Sequence, residues 1–226
     1  MKKRTLLFIF SALIVLCLIG CGNQVDSNPG EVTSSFLTAL QHQDYSSVKQ
    51  YYAENVDNFP NFKNKVEDIS PKVANELFSK MADFSYTVEK VSIDPNDASK
   101  ATVTVTFRCY DLGKTFESIL LDYLEKDLTM TFNGAKDDEI TQQAETVIID
   151  NLSQSKQDFN RTVPITLTLE DNVWKVDKLD NNPDLMNALS GNILYTIRDM
   201  MNSIQDGSTT TDTSSSTNTA TQNNAS

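Results

Sequence analysis

His42 is the one imidazole in this sequence, and Cys17, Cys21 and Cys109 are its only thiols. A zinc site of the usual Cys/His kind cannot be assembled from so few ligands. A nucleophile paired with an imidazole base would have to use His42 itself. That residue closes the first amphipathic stretch, where an imidazole suits the negative end of a helix dipole, so its reading is structural. No G-x-S-x-G, P-loop or G-x-G-x-x-G motif occurs. Three acidic groups could offer oxygen ligands to calcium: Asp94 with Asp97; Asp137, Asp138 and Glu139; and Asp180 with Asp184. None has EF-hand spacing, and each sits at a turn or a helix start, where acids are expected for local reasons. Arg108 stands out in a strand and could meet an anion, although its Thr/Arg/Tyr face reads more simply as the wet side of a sheet. No metal and no cofactor is expected.

The elements that would position these groups follow from periodicity. Proline after a capping residue marks three helix starts, Asn28-Pro29, Ser70-Pro71 and Asn182-Pro183, because proline at the first helical position gives up no needed hydrogen bond. Glu31 stands three residues after the first cap, as in a capping box. Val32, Phe36 and Leu40 form one stripe, and Asp44 is placed to cap a short helix with Val48, Tyr51 and Tyr52. Further stripes run through Ala74, Leu77, Phe78 and Met81, then Phe116 to Leu124, then Ile140 to Leu152, and last from Leu185 to Ile204. The run ATVTVTFRCY, 101–110, alternates strictly: Val103, Val105, Phe107 and Cys109 share one face, which predicts a half-buried antiparallel strand. Strands are expected at 84–93, 100–110, 160–170 and 173–180, with Pro164 pointing to an edge. Helices and strands segregated in this way argue for an α+β fold, with one domain over 29–205. The segment 206–226, almost all Ser, Thr, Asn and Gln, is expected to be a disordered tail.

The N-terminus carries an address. Lys2, Lys3 and Arg4 precede a 14-residue uncharged, mostly apolar run, Leu6 to Ile19. A membrane-spanning helix needs about 20 residues, so residues 1–20 read as a secretory signal. Leu18-Ile19-Gly20-Cys21 resembles the lipobox of bacterial lipoproteins, and the resemblance implies cleavage before Cys21 and acylation of its sulfur. Residues 21–28 would then be a polar tether, and the protein would sit on the extracytoplasmic face of a cell membrane, held by its lipid. Loss of the signal removes three cations and takes the formal net charge from −12 to about −15. Phosphate repels such a surface, so nucleic acid is a poor partner. Only Cys109 would remain as a thiol, which excludes an intramolecular disulfide.

The run SFLTALQHQDYSSVKQYY (35–52) and the closing DNVWKVD (171–177) resemble the two ends of cystatin-like lipoproteins that share the nuclear-transport-factor-2-like fold. The helical insertion at roughly 112–157 resembles lipoprotein domains of Firmicutes. The resemblance implies an antiparallel sheet curved around the N-terminal helix, with inserted and C-terminal helices. It implies no reaction, since that fold hosts enzymes, carriers and scaffolds. Some of its enzymes place Tyr and Asp inside the cone of the sheet. Tyr86, Tyr110 or Tyr123 could supply the first, but no acid occupies an apolar strand position. The expectation is therefore a non-enzymatic module that binds a protein, a peptide or an apolar ligand. Phe84, Tyr86, Phe107, Tyr123 and Trp174 are its expected pocket. The alternative is an enzyme using Tyr and a carboxylate in the same place.

Overall fold

A computed structural model describes residues 28–209 apart from 57 and 133–134. The expected signal, Cys21, most of the tether and the greater part of the tail lie outside those residues. Among the described residues the elements run α1 (Pro29–Gln41), α2 (Tyr45–Tyr51), α3 (Asn58–Ile69), α4 (Pro71–Ala82), β1 (Ser85–Ile93), β2 (Lys100–Cys109), α5 (Leu112–Phe132), α6 (Asp137–Gln154), β3 (Phe159–Glu170), β4 (Val173–Val176), a 3-10 turn (Leu179–Asn181), α7 (Pro183–Leu189) and α8 (Ile193–Thr209). The four strands form one open antiparallel sheet in the order β1-β2-β3-β4, so the class is α+β.

Where one domain was expected over 29–205, the contacts gather into two compact units. The first takes in the chain up to Lys65 with Ser85–Phe107 and Arg161–Leu185. The second takes in Val66–Phe84, Arg108–Asn160 and the chain from Met186. Both draw on separated stretches of sequence, so no linker composition could announce the division.

In the first unit the alternation of β2 is realised as read: Val103, Val105 and Phe107 are fully buried while Thr102, Thr104 and Thr106 are half-buried. Helix α1 packs on both β1 and β4, and α2 packs on α1 and β4. The stripe of α1 is wider than expected. Val32, Thr33, Phe36, Leu37 and Ala39 are buried, whereas Leu40 is only half-buried. Thr33 tolerates burial because its Oγ1 donates to the Pro29 carbonyl at 2.8 Å. Phe36 stacks on Tyr52 with ring centroids 5.7 Å apart, and the Tyr52 hydroxyl accepts from the Leu179 N–H at 3.0 Å. Asp44 caps α2 through the Ser47 N–H and both neighbouring serine hydroxyls. Those bonds, the Ser46 hydroxyl first, hold its carboxyl pKa down at about 2.

Strand β4 is shorter than the expected 173–180. Its register pairs Leu169 with Trp174 and Leu167 with Val176, and then a side chain takes over from the backbone. Asn182 Oδ1 accepts from the Thr166 N–H at 2.8 Å, and its Nδ2 donates to the Asp177 and Lys178 carbonyls at 3.2 and 3.4 Å. The peptide groups that a longer strand would have paired are thereby satisfied, and the chain is free to turn toward α7.

In the second unit α5 packs on α6 and α8, and α6 packs on α4. Ser70 caps α4 through the Val73 N–H and also donates to Glu145 of α6 at 2.7 Å. The stripe from Leu185 to Ile204, expected as one helix, is broken between α7 and α8 by Gly191 and Asn192 at φ of 60° and 72°. A Cβ on Gly191 would stand 2.6 Å from the Tyr110 carbonyl oxygen. That contact and the left-handed backbone require glycine there. Helix α3 was not expected at all, although Phe62, Val66 and Ile69 have helical spacing. Helix α8 continues through Thr209, past the expected boundary at 205.

Candidate functional site

Helix termini and turns absorb much of the chemistry seen in the sequence. His42 caps α1, and its Nδ1–H donates to the Thr38 carbonyl at 2.8 Å. Asp94 accepts from the Asn96 N–H and Asp97 from the Ser99 N–H and hydroxyl; the Ser99 bonds lower the Asp97 pKa. Glu139 accepts from the Lys136 N–H at the start of α6, beside exposed Asp137 and Asp138. Asp180 lies in the 3-10 turn, and Asp184 stands 4.0 Å from the Arg161 guanidinium. Among the described residues no three His, Cys, Asp or Glu side chains converge as metal ligands. Arg108 is exposed and its Nε donates to the Gln157 carbonyl at 3.1 Å. The Cys109 thiol is buried among α7 and β-strand carbonyls, nearest Ala188 O at 3.4 Å. Burial, with a smaller push from the Asp111 carboxylate, drives its pKa up to about 12. A thiol so held is almost wholly protonated at neutral pH, and the thiolate is the nucleophile. Iodoacetamide at pH 8 should leave Cys109 unmodified in the folded chain and label it on unfolding. Stoichiometric labelling of the native chain, read by mass spectrometry, would contradict this account.

The five expected pocket residues divide between the units. Tyr86, Phe107 and Trp174 belong to the first, Phe84 and Tyr123 to the second. Phe107 is fully buried, and Phe84 and Trp174 nearly so; Tyr86 and Tyr123 are half-buried. The Tyr86 hydroxyl donates to the Ser34 carbonyl at 3.0 Å and lies 2.9 Å from Thr38 Oγ1, so it ties β1 to α1.

The first unit holds two concavities that sequence reasoning missed. One, of about 480 Å³, lies along α1 and β1 and is lined by Asn28, Glu31, Ser34, Val88 and Val91 among others. The second, of about 610 Å³, lies where β1 turns into β2. Asp94, Lys100, Thr166, Asp177 and Asn181 reach it. Lys100 Nζ donates to Thr168 Oγ1 at 2.7 Å, and that hydroxyl donates to Asp177 Oδ1 at 2.6 Å. An ammonium, carboxylates and an amide around one polar recess can hold a small hydrogen-bonding ligand. No local pattern could have found it, because its residues come from four separated stretches of chain. The carboxyls with displaced pKa values, Asp44, Asp97 and Glu145, are all held below the usual range by hydrogen-bond donors. None of them is poised as a general acid at neutral pH.

No family model matches the chain, and no curated protein matches it. One solved structure similar to it is a "putative lipoprotein (ycdA)" from Bacillus subtilis. The identity is 14%, over 72% of this chain and 47% of that one, with a TM-score of 0.38. The chain therefore spans about half the length of that protein, and a likeness this slight decides neither fold nor function. Among the described residues no helix is long and apolar enough to cross a membrane.

Proposed function

We propose that this chain is a lipoprotein held on the extracytoplasmic face of a cell membrane through Cys21, with residues 29–205 serving as a non-enzymatic binding module. The observation that carries the reading is Leu18-Ile19-Gly20-Cys21 at the end of a short apolar run with a cationic start. One acyl chain holds a protein marginally and two or more hold it firmly, so acylation of Cys21 would supply the anchor that the acidic protein surface does not. A nuclear-transport-factor-2-like arrangement is supported by α1 packing on both edge strands, β1 and β4, as a sheet curved around its first helix would allow. A binding rather than a catalytic role is supported by the capping duty of His42, the buried thiol of Cys109 and the lowered carboxyl pKa values. The partner classes proposed are a protein, a peptide or an apolar ligand.

Cys21→Ala should leave the precursor uncut or move the chain from the membrane fraction to the soluble one, and mass spectrometry of the parent should find diacylglycerol on an N-terminal Cys21. A Cys21→Ala chain that fractionates and migrates like the parent would defeat the anchor. Reproducible turnover of any substrate by the purified chain would defeat the non-enzymatic half.

A further inference from the structure

The chain itself closes the free edge of β4: Tyr52 bridges to Val176, and the Ala53 N–H donates to the Val176 carbonyl at 2.9 Å. Strand β1 ends the sheet on the other side, and among the described residues no strand lies beyond it. Every residue from Glu89 to Ile93 is exposed, Val91 by 39% and Ile93 by 44%. Beside this edge runs the concavity between α1 and β1, with Val88 and Val91 on one wall and Asn28, Glu31, Ser34 and Ser35 on the other. Helix and strand come close there, since a Cβ on Gly30 would stand 3.0 Å from Val91 Cγ2. The geometry points to this groove as the seat of an extended peptide that adds to β1 as a fifth strand and carries a basic residue beside apolar ones.

Backbone chemistry selects the extended form. A strand edge presents N–H and C=O groups in a row, and another extended backbone answers them in the same spacing. The bridge between Tyr52 and Val176 is that solution, supplied from within the chain. Alternate side chains of an added strand point to one side, so every second residue of the peptide meets the groove, where Val88 and Val91 favour apolar ones. Charge selects the basic residue. Among the residues lining the groove Glu31 alone is charged, and it is exposed. The net charge of −12 adds attraction at longer range. A second copy of β1 is a poorer occupant. Paired antiparallel over its full length, it would set Glu89 against Glu89, and like charges directly opposite are destabilising. This inference rests on the binding-module reading and not on the Cys21 anchor.

The probe is the fluorescein-labelled, amidated peptide KTVTVTV, titrated against the full chain in detergent and followed by fluorescence anisotropy. It should bind saturably. Successive amides of an extended peptide point to opposite sides, so only one set can pair with β1. N-methylation of the second, fourth and sixth residues, or of the third, fifth and seventh, should therefore weaken binding by about tenfold in one set and leave it nearly unchanged in the other. Val91→Asp should weaken it by about tenfold, and Glu31→Gln by about threefold, the size of one exposed ion pair, with thermal unfolding unchanged in both. No saturable binding at millimolar peptide, or equal effects of the two methylated sets, would overturn the proposal. So would a dimer of the chain that Val91→Asp splits, which would put a second copy on the edge. So too would binding that appears only when residues 22–27 are deleted, which would put the chain's own tether there. Turnover of a substrate would defeat the binding-module reading and leave this titration as it stands.

Discussion

Asn182→Leu should destabilise the chain by about 3–5 kcal/mol, a large share of the stability of an ordinary domain. Asn182 is 2% exposed and its amide satisfies the Thr166 N–H, the Thr166 hydroxyl and the Asp177 and Lys178 carbonyls. Leucine has the same branching and a somewhat larger volume, so the substitution removes hydrogen bonds without opening a cavity. A buried backbone group left without a partner costs about 1–3 kcal/mol. The Thr166 N–H and the Asp177 carbonyl would be left, partly within reach of water, while the Lys178 carbonyl keeps the Asn181 N–H at 2.9 Å; two such groups set the sum near the middle of the range. Urea denaturation followed by circular dichroism measures it. A loss under about 1 kcal/mol, with the denaturant slope unchanged, would mean that water replaces the amide and that the end of β4 needs no such device.

Trp174→Ala should cost a similar amount, about 3–5 kcal/mol, the usual range for removing a large aromatic side chain from a core. Trp174 is 7% exposed, on a four-residue strand, in register with Leu169. Its neighbours cannot all move to fill the void, because β4 is pinned by Asn182 at one end and by the Asp171-Asn172 turn, at φ of 49° and 69°, at the other. The same denaturation experiment checks it. Trp174→Phe should retain more than half of the difference, since most of the apolar volume is kept. If the alanine variant loses under about 1 kcal/mol, the indole is the rim of a recess and its expected place among the ligand-contacting aromatics gains weight.

The two variants sit on opposite sides of what a sequence can reveal. Trp174 stands in a short alternating run after a turn, and that pattern alone predicts a strand with the indole turned inward. Asn182 reads only as the cap of a helix that begins at Pro183. Its work for Thr166, sixteen residues away, depends on where β4 stops, and nothing local encodes that. The break at Gly191 was hidden in the same way. The apolar stripe continues at helical spacing across it, so periodicity joins α7 to α8, and only the approach of the Tyr110 carbonyl makes a left-handed glycine necessary. Helix α3 had a readable stripe, but Asn58-Phe59-Pro60 lacks the cap-then-proline order that marked the other starts.

Local physics was enough for most of the secondary elements. Alternation over 101–110, the capping residues Asn28, Asp44 and Ser70, and the inserted pair of helices all depend on neighbours within four residues of one another. The sequence by itself also determined the acidic charge, the scarcity of catalytic groups and the lipobox-like address ending at Cys21, since these need no partner in space. Tertiary structure decided the rest. It buried Cys109 and raised its pKa, occupied the Tyr86 hydroxyl with α1, and joined Lys100 to Asp177 through Thr168. It also left Met201 and Ile204 of α8 in water. Each of these is a matter of which distant groups meet, and burial and hydrogen bonding act between groups in space whatever their separation along the chain.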